Sequence, residues 1–342
     1  MYYLKRLFSL DLKRMFITIR KICKRSNKSF FYIFFDIIIA SLKYGSGYMD
    51  YFQFYFENLN SYQRSTYINR TINTNYIRSL NNKDYYHIFQ NKSEFLHKFK
   101  KYIKRDFAML NECSYDEYIE FLDKHPIFMA KPNDGLCGHD IEVVNSSGLD
   151  RKLLFNKLLS NGQNLLEEKI VQCSEISSIY PNSINTIRVV TVNRNDEVSV
   201  PFVAIRIGNN GKVVDNFNSG GMFTVIDDDG YIKKPAIDKE NNVYEKHPMT
   251  GTSIVGFKIP KYKQIIKQCK QMALVVKEVG YVGWDMTVTD KGIDVVEGNQ
   301  LPGYDIYQSF PHLNQDKLGL KPKFDACIYG NNANNSKSVK NT

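Results

Sequence analysis

Gly283-Trp284-Asp285-Met286-Thr287-Val288-Thr289-Asp290-Lys291-Gly292-Ile293-Asp294-Val295-Val296-Glu297-Gly298-Asn299 is the stretch whose reading decides the fold. Two β-rich runs flank Asp290-Lys291-Gly292, whose turn chemistry favours a hairpin. A turn centred on Lys291 sets Asp285 directly opposite Glu297, where cross-strand Cβ atoms lie roughly 4.5–5.5 Å apart. Asn299, two residues further on, shares that face because side chains alternate along a strand. Two carboxylates and an amide oxygen on one pleat repel one another unless a hard cation sits among them. Mg²⁺ takes such oxygen ligands and usually shares them with substrate phosphates. The plain alternative is a polar solvent face on an edge hairpin, and the rest of the chain has to decide between the two.

Composition bounds the answer. The chain has 342 residues, 43% of them hydrophobic, enough for one large or two to three smaller folded units. Of its net charge of +10, residues 1–28 hold +8, from nine Lys and Arg against Asp11. The body is therefore close to neutral, which argues for a localised basic arm and against a nucleic-acid-binding surface. Six scattered cysteines form no C-x-x-C pair and no metal-ligand spacing, and read as reduced thiols of a cytoplasmic protein. The apolar run at 30–40, interrupted by Asp36, is short of the roughly 20 residues that span a bilayer. It is expected to be a buried helix. The alternative is that the basic stretch before it, with Leu4, Leu7, Phe8, Leu12, Met15 and Phe16 at helical spacing, makes peripheral contact with an anionic inner-membrane face.

Residues 1–90 read as a mainly helical, basic region with a break at Gly45-Ser46-Gly47. Residues 92–128 read as helices carrying Phe95, Phe99, Phe107, Tyr118 and Phe121. A strand at 127–131 enters a glycine-rich loop and leaves at 141–144; a helix near 149–160 and a strand at 165–170 come next. From 185 the pattern is a β-meander, with strands at 186–192, 198–207, 212–216 and 223–226. A helix near 260–279 precedes the hairpin, and the Asn/Ser/Lys-rich tail is expected to be disordered. The class is α+β, in two lobes: 91–170 and 171–328, with a tail at 329–342.

Lys131 ends a strand just before Gly135 and Gly138, and such a loop can cradle phosphate oxygens while the ammonium supplies charge. Alone this is weak, since an ordinary hairpin turn looks similar. The segments beyond the loop strengthen it: an acidic strand with Glu167 and Glu168, suited to an adenine amino group, then Glu175, suited to ribose hydroxyls. Arg188 and Arg206 lie in strands between apolar neighbours, where an unpaired charge is costly unless it meets an anion. Asn216 precedes the pair Gly220-Gly221. Cys137, in the loop, is read as a small loop residue, and His247 in His247-Pro248-Met249-Thr250-Gly251 as a turn residue.

This order of Lys, glycine loop, Glu-Glu hinge, Arg strand, D-N-x-x-x-G-G, D and E-x-N resembles the ATP-grasp fold over roughly 90–310. By that resemblance Lys92 and Lys131 are the phosphate-binding lysines. Glu168 and the backbone near Ile170 form the adenine hinge, Glu175 meets the ribose, and Asp285, Glu297 and Asn299 ligate magnesium. More narrowly, S-I-N-T-I-R-V-V-T, V-D-N-F-N-S-G-G, H-P-M-T-G, Val282-Gly283-Trp284-Asp285 and E-G-N-Q-L-P-G-Y-D are similar to the sugar-transfer-associated ATP-grasp proteins of bacterial capsule and surface-polysaccharide assembly. Residues 1–90 depart from the α/β domain that precedes the fold in D-alanine–D-alanine ligase-like enzymes, so that domain's substrate contacts do not transfer.

The resemblance implies ATP, two Mg²⁺ ions and a carboxylate–amine ligase working through an acylphosphate. Arg206 would then hold the γ-phosphate or tetrahedral intermediate, Arg188 the acceptor carboxylate, and Asn216 developing negative charge. The expected substrates are a small or glycan-linked carboxylate and an amine. The competing readings are a kinase acting on a sugar or lipid hydroxyl and, behind it, a non-catalytic nucleotide-sensing or membrane-docking module. Asp285→Asn or Glu297→Gln is expected to abolish turnover and leave the fold intact.

Overall fold

The computed structural model describes residues 11–133, 141–212, 215, 217 and 220–330. The chain divides into two compact units, one made of residues 1–79 with 303–342, the other of residues 80–302. The helical region thus closes near 80 and not 90, and it takes in residues from 303 onward that were expected in the second lobe. The reason is visible in side chains far apart in sequence. Gln308 brackets the backbone of Ile68, accepting from its N–H at 3.1 Å and donating to its carbonyl. Tyr76 donates to Asp325 at 2.6 Å and stacks on Phe324. The expected disordered tail lies, from 331 on, outside the described residues.

In the first unit, helix α1 (Leu12–Ser26) starts at Asp11, whose side chain accepts from Arg14 N at 2.9 Å, and ends at Asn27 in the left-handed region. Its Met15, Ile19 and Ile22, at helical spacing, face a core with Tyr51, Phe54, Phe56 and Tyr67. Helix α2 (Phe30–Tyr44) is capped by Ser29 and stopped by Gly45 at φ 75°. The run at 30–40 is therefore helical, but the expectation that it is buried fails on one side. Ile33, Ile37 and Ala40 face the core; Phe31, Phe35, Ile38 and Leu42 face solvent. Asp36, which interrupts the run, takes two bonds from Arg64, each 2.7 Å, and one from Tyr51 at 2.6 Å.

The second unit holds two antiparallel sheets. The smaller is β1 (Phe107–Met109), β2 (Ile127–Lys131), β3 (Glu142–Asn145) and β4 (Leu165–Glu168), in the order β1-β4-β2-β3. Phe107, read as helical, is in β1, a strand too short to show a period-two pattern and formed by pairing with β4. Helices Tyr115–Lys124 and Arg151–Ser160 pack Tyr118, Phe121, Leu154 and Leu158 onto its Phe128, Ala130 and Leu166.

The larger sheet has the order β11-β10-β5-β6-β7-β8-β9, from β5 (Ile187–Arg194), β6 (Glu197–Ile207), β7 (Met222–Val225), β8 (Ala236–Ile237), β9 (Val243–Tyr244), β10 (Tyr281–Thr289) and β11 (Gly292–Asn299). Its core side is covered by Phe95 and Phe99, from the segment around helix Lys92–Lys98, and by Ile265, Cys269 and Met272 of helix Tyr262–Met272. The strand expected at 212–216 falls largely outside the described residues. No described helix is long and apolar enough to cross a membrane.

Candidate active site

The hairpin of β10 and β11 pairs Asp285 with Glu297, as alternation requires, but by another route. The turn is two residues, Asp290-Lys291, with Thr289 opposite Gly292 and Met286 opposite Val295. A register shift next to Asp285 then inserts Val296 as an extra residue on β11. That bulge lets Asp294 and Glu297, three residues apart, both pair with the Thr287/Asp285 set of β10. Gly298 lies opposite Trp284, and a Cβ there would sit 3.0 Å from both the Trp284 and Phe95 rings and 3.1 Å from Phe89. The glycine between the two expected metal ligands is thus a core requirement. Trp284 is fully buried, with its indole N–H on Thr191 Oγ1 at 2.8 Å.

The register continues as Glu297, Asp285, Arg188, Ala204 across four strands, which puts these residues on one face. Arg206, two beyond Ala204, shares it. Both arginines meet Asp285. Arg188 donates through Nε to Oδ1 and through Nη2 to Oδ2 at 3.0 Å, and Arg206 Nη2 donates to Oδ2 at 2.6 Å. Burial alone would raise the Asp285 carboxyl, but the two guanidiniums outweigh it and hold its pKa at about 2. Glu297 opens onto solvent at its outer edge; the protein crowding its other sides and the Asp285 carboxylate opposite raise its pKa. Asn299 Nδ2 lies 3.1 Å from Glu297 Oε1. Arg206 is steadied by Thr186 Oγ1 at 2.9 Å, and Thr186 N donates to Asp215 at 2.8 Å.

These oxygens suit a hard cation. Asp285, Glu297 and Asn299 share one face, offer only oxygen donors, and include a carboxyl that neighbouring negative charge and crowding bias toward holding a proton. One expectation changes. The carboxylate repulsion read from sequence is relieved only in part: Arg188 and Arg206 pair with Asp285, yet its charge still raises the pKa of Glu297.

On the smaller sheet, Lys131 at the end of β2 reaches Glu167 of β4, diagonal to it on the same face. Glu167 also accepts from Arg105 Nε at 2.6 Å. Burial would raise its pKa, but Arg105 and Lys131 bring it to about 2. Glu168 takes Lys291 Nζ at 2.7 Å and the Asp106 N–H at 3.0 Å. Both carboxylates read as adenine partners are thus committed elsewhere, and the Glu168 N–H is taken as well, donating to Asp106 O at 2.8 Å. Ile170 and Glu168 line a small cleft of about 150 Å³ with Lys104, Arg105 and Lys291. Asp106, His125 and Glu168 also bring ligand atoms within 4.8 Å of one another, with Lys291 paired to Glu168 and His125 Nε2 2.9 Å from Asp106.

Lys92 reaches the residue after Lys131 in the chain, its Nζ donating to the Pro132 carbonyl at 2.9 Å, while Lys131 itself stays on Glu167. Glu175 is exposed on the short helix Ser174–Ser177. Gly135, Gly138, Cys137 and Asn216 lie outside the described residues. His247 is buried as a turn residue: Nε2 donates to Gly208 O at 2.9 Å, and Nδ1 accepts from Met249 N at 3.2 Å.

Sequence reasoning missed Arg105. It is buried, and besides Glu167 it donates to Asp294 at 3.0 Å, Val295 O at 2.7 Å and Val296 O at 3.3 Å. It therefore ties the hinge strand of one sheet to the bulge of the other. Its only sequence signal was a charge in an otherwise ordinary Lys-Arg-Asp stretch.

The acid–arginine face thus lies on the larger antiparallel sheet, and Lys131 ends a strand of the smaller one. Residues 152–311, just under half of the chain, match the family model described as sugar-transfer associated ATP-grasp. No curated protein sequence matches. Among solved structures, the chain is similar to the ATP-grasp ligase PsnB complexed with minimal precursor, at 12% identity, covering 73% of this chain and 64% of that one with a TM-score of 0.45. It is also similar to D-alanyl-alanine synthetase A from Vibrio cholerae O1, at 12% identity, 72% and 66% coverage and a TM-score of 0.43. A third is the ADP complex of N5-carboxyaminoimidazole ribonucleotide synthetase, at 15%, with 64% and 47% coverage and a TM-score of 0.40. The chain spans about half to two thirds of the length of these structures.

Proposed function

We propose that the protein is an ATP- and Mg²⁺-dependent carboxylate–amine ligase that forms an amide through an acylphosphate. The observation that carries this reading is the meeting of Arg188 and Arg206 on Asp285, on the same face as Glu297 and Asn299. Two guanidiniums beside an acidic, oxygen-only cluster suit a reaction in which negative charge moves between a phosphate and a carboxylate.

Asp285, Glu297 and Asn299 would hold magnesium, which would supply charge neutralisation for the triphosphate. Lys92 and Lys131 would bind phosphate oxygens, together with the loop that holds Gly135 and Gly138. Glu168 and the backbone near Ile170 would receive adenine, and Glu175 the ribose. Arg188 would orient the acceptor carboxylate and Arg206 the transferred phosphoryl group, with Asn216 donating to developing charge. In the first step a carboxylate oxygen takes the γ-phosphoryl group and ADP leaves. In the second an amine nitrogen attacks the acyl carbon, phosphate departs, and the nitrogen gives up a proton to solvent.

A surface-polysaccharide precursor as the carboxylate is supported by the sugar-transfer description of the family matched at 152–311. A cytoplasmic location fits the reduced-thiol reading of the cysteines. The test is ATP turnover against amino acids paired with uronic-acid sugars, reading phosphate and product mass. Phosphate with an amide-mass product supports the ligase. A product heavier by a phosphate makes the enzyme a kinase.

A further inference from the structure

We infer that the hairpin of α1 and α2 is a docking surface for an anionic lipid bilayer, with α2 lying in the plane of the interface. The observation is the surface of α2. This helix is apolar around almost its whole circumference, yet only one side meets the core. Phe31, Phe35, Ile38 and Leu42 follow the i, i+4, i+7, i+11 spacing of a single helical stripe, and all are exposed. Phe31 and Leu42 are each 72% exposed and Phe35 57%. Aromatic contacts extend the stripe: Phe30 stacks on Phe16 of α1 at 5.8 Å and meets Phe31 edge-on at 5.9 Å. A contiguous outward row of large apolar side chains marks an interaction site.

Charge selects the occupant. Exposed Lys13, Arg20, Lys21 and Lys24 lie on α1 beside the stripe, and α1 itself contains no acidic residue. Asp36, the acidic residue within α2, is turned inward and neutralised by Arg64. An apolar stripe flanked by one sign of charge is the pattern of an interfacial helix on anionic lipid. A second copy of the chain is a poorer occupant, since a two-fold contact across the stripe gathers two basic flanks in one rim with nothing acidic on α1 to offset them. The helix spans 15 residues and does not cross a bilayer. Nothing in this inference depends on the ligase reading.

The test is flotation of the full chain with phosphatidylcholine vesicles, with and without a quarter of phosphatidylglycerol. A triple variant (Phe31→Ser, Phe35→Ser, Leu42→Ser) and a charge variant (Lys13→Ser, Arg20→Ser, Lys21→Ser, Lys24→Ser) are compared with it. Sedimentation velocity and thermal melting are run on all three. The substituted side chains are exposed, so the melting curves verify that the variants fold. We expect the parent chain to float with the anionic vesicles and not with the neutral ones. The stripe variant should lose more than about tenfold in partitioning, and each basic residue removed should weaken it about fivefold. Absence of flotation with anionic vesicles, or a charge variant that floats like the parent, overturns the inference. So does a parent dimer that the stripe variant dissociates while vesicle binding stays unchanged, which would assign the surface to a second copy.

Discussion

Arg105 donates to the carbonyl of Val296, the residue whose insertion brings Glu297 opposite Asp285. A side chain fixed to the hinge strand through Glu167 thereby sets the register of the acidic face. Replacing it removes the principal partner of a buried carboxylate and releases the bulge.

Arg105→Met is accordingly expected to destabilise the protein by about 3–5 kcal/mol, since Lys131 still faces Glu167 but buried Asp294 loses its guanidinium. Urea denaturation checks the stability. A positioning role further requires that residual ATP turnover need more magnesium than the parent, which a purely structural role would not produce.

Asp285 and Glu297 should behave differently, which revises the expectation that amide substitution at either spares the fold. Asp285 is fully buried and receives both arginines, so Asp285→Asn leaves two guanidiniums short of a counter-charge at a cost of about 3 kcal/mol. Glu297 opens to solvent and its raised pKa places it nearer the neutral form, so Glu297→Gln should melt within a few degrees of the parent. Thermal unfolding of the two variants side by side decides this.

His247 predicts a pH dependence. Its ring is held neutral, with a proton on Nε2 for Gly208 and a lone pair on Nδ1 for the backbone N–H of Met249. Burial lowers its pKa from 6.5. The unfolded chain therefore takes up the proton first as pH falls, so this stabilisation is complete above pH 6.5 and is lost below it, at no more than about 1.4 kcal/mol per pH unit. His247→Asn should be less stable than the parent near neutrality, with the gap closing toward acid pH. Melting temperatures across that range would show it, and a gap independent of pH would refute it.

Gly298→Ala places a methyl against the rings of Trp284, Phe95 and Phe89. Overpacking of this kind costs about 1–3 kcal/mol. Trp284 is the only tryptophan, so its fluorescence reports the site directly. A red-shifted emission in the folded variant is expected, and an unchanged spectrum and melting curve would contradict the packing account.

The hairpin was legible because Asp290-Lys291-Gly292 punctuates two strands of strong β character, and alternation then gives the face of Asp285, Glu297 and Asn299. The route was not legible. A turn taken as centred on Lys291 and a two-residue turn followed by a bulge both pair Asp285 with Glu297, and only backbone coordinates separate them. Arg105 stayed hidden because its partners are 62 and 189 residues away. The outward face of α2 was misread for a related reason. An apolar run states that a helix has apolar surface, and only the tertiary fold states how much of it finds a partner.

The most direct test of the central claim is calorimetric titration of ATP into the parent chain and the Glu297→Gln variant, each with and without magnesium. The account predicts that magnesium strengthens ATP binding to the parent and has little effect on the variant. A variant that responds to magnesium as the parent does would contradict the assignment of Asp285, Glu297 and Asn299 as the metal-binding face.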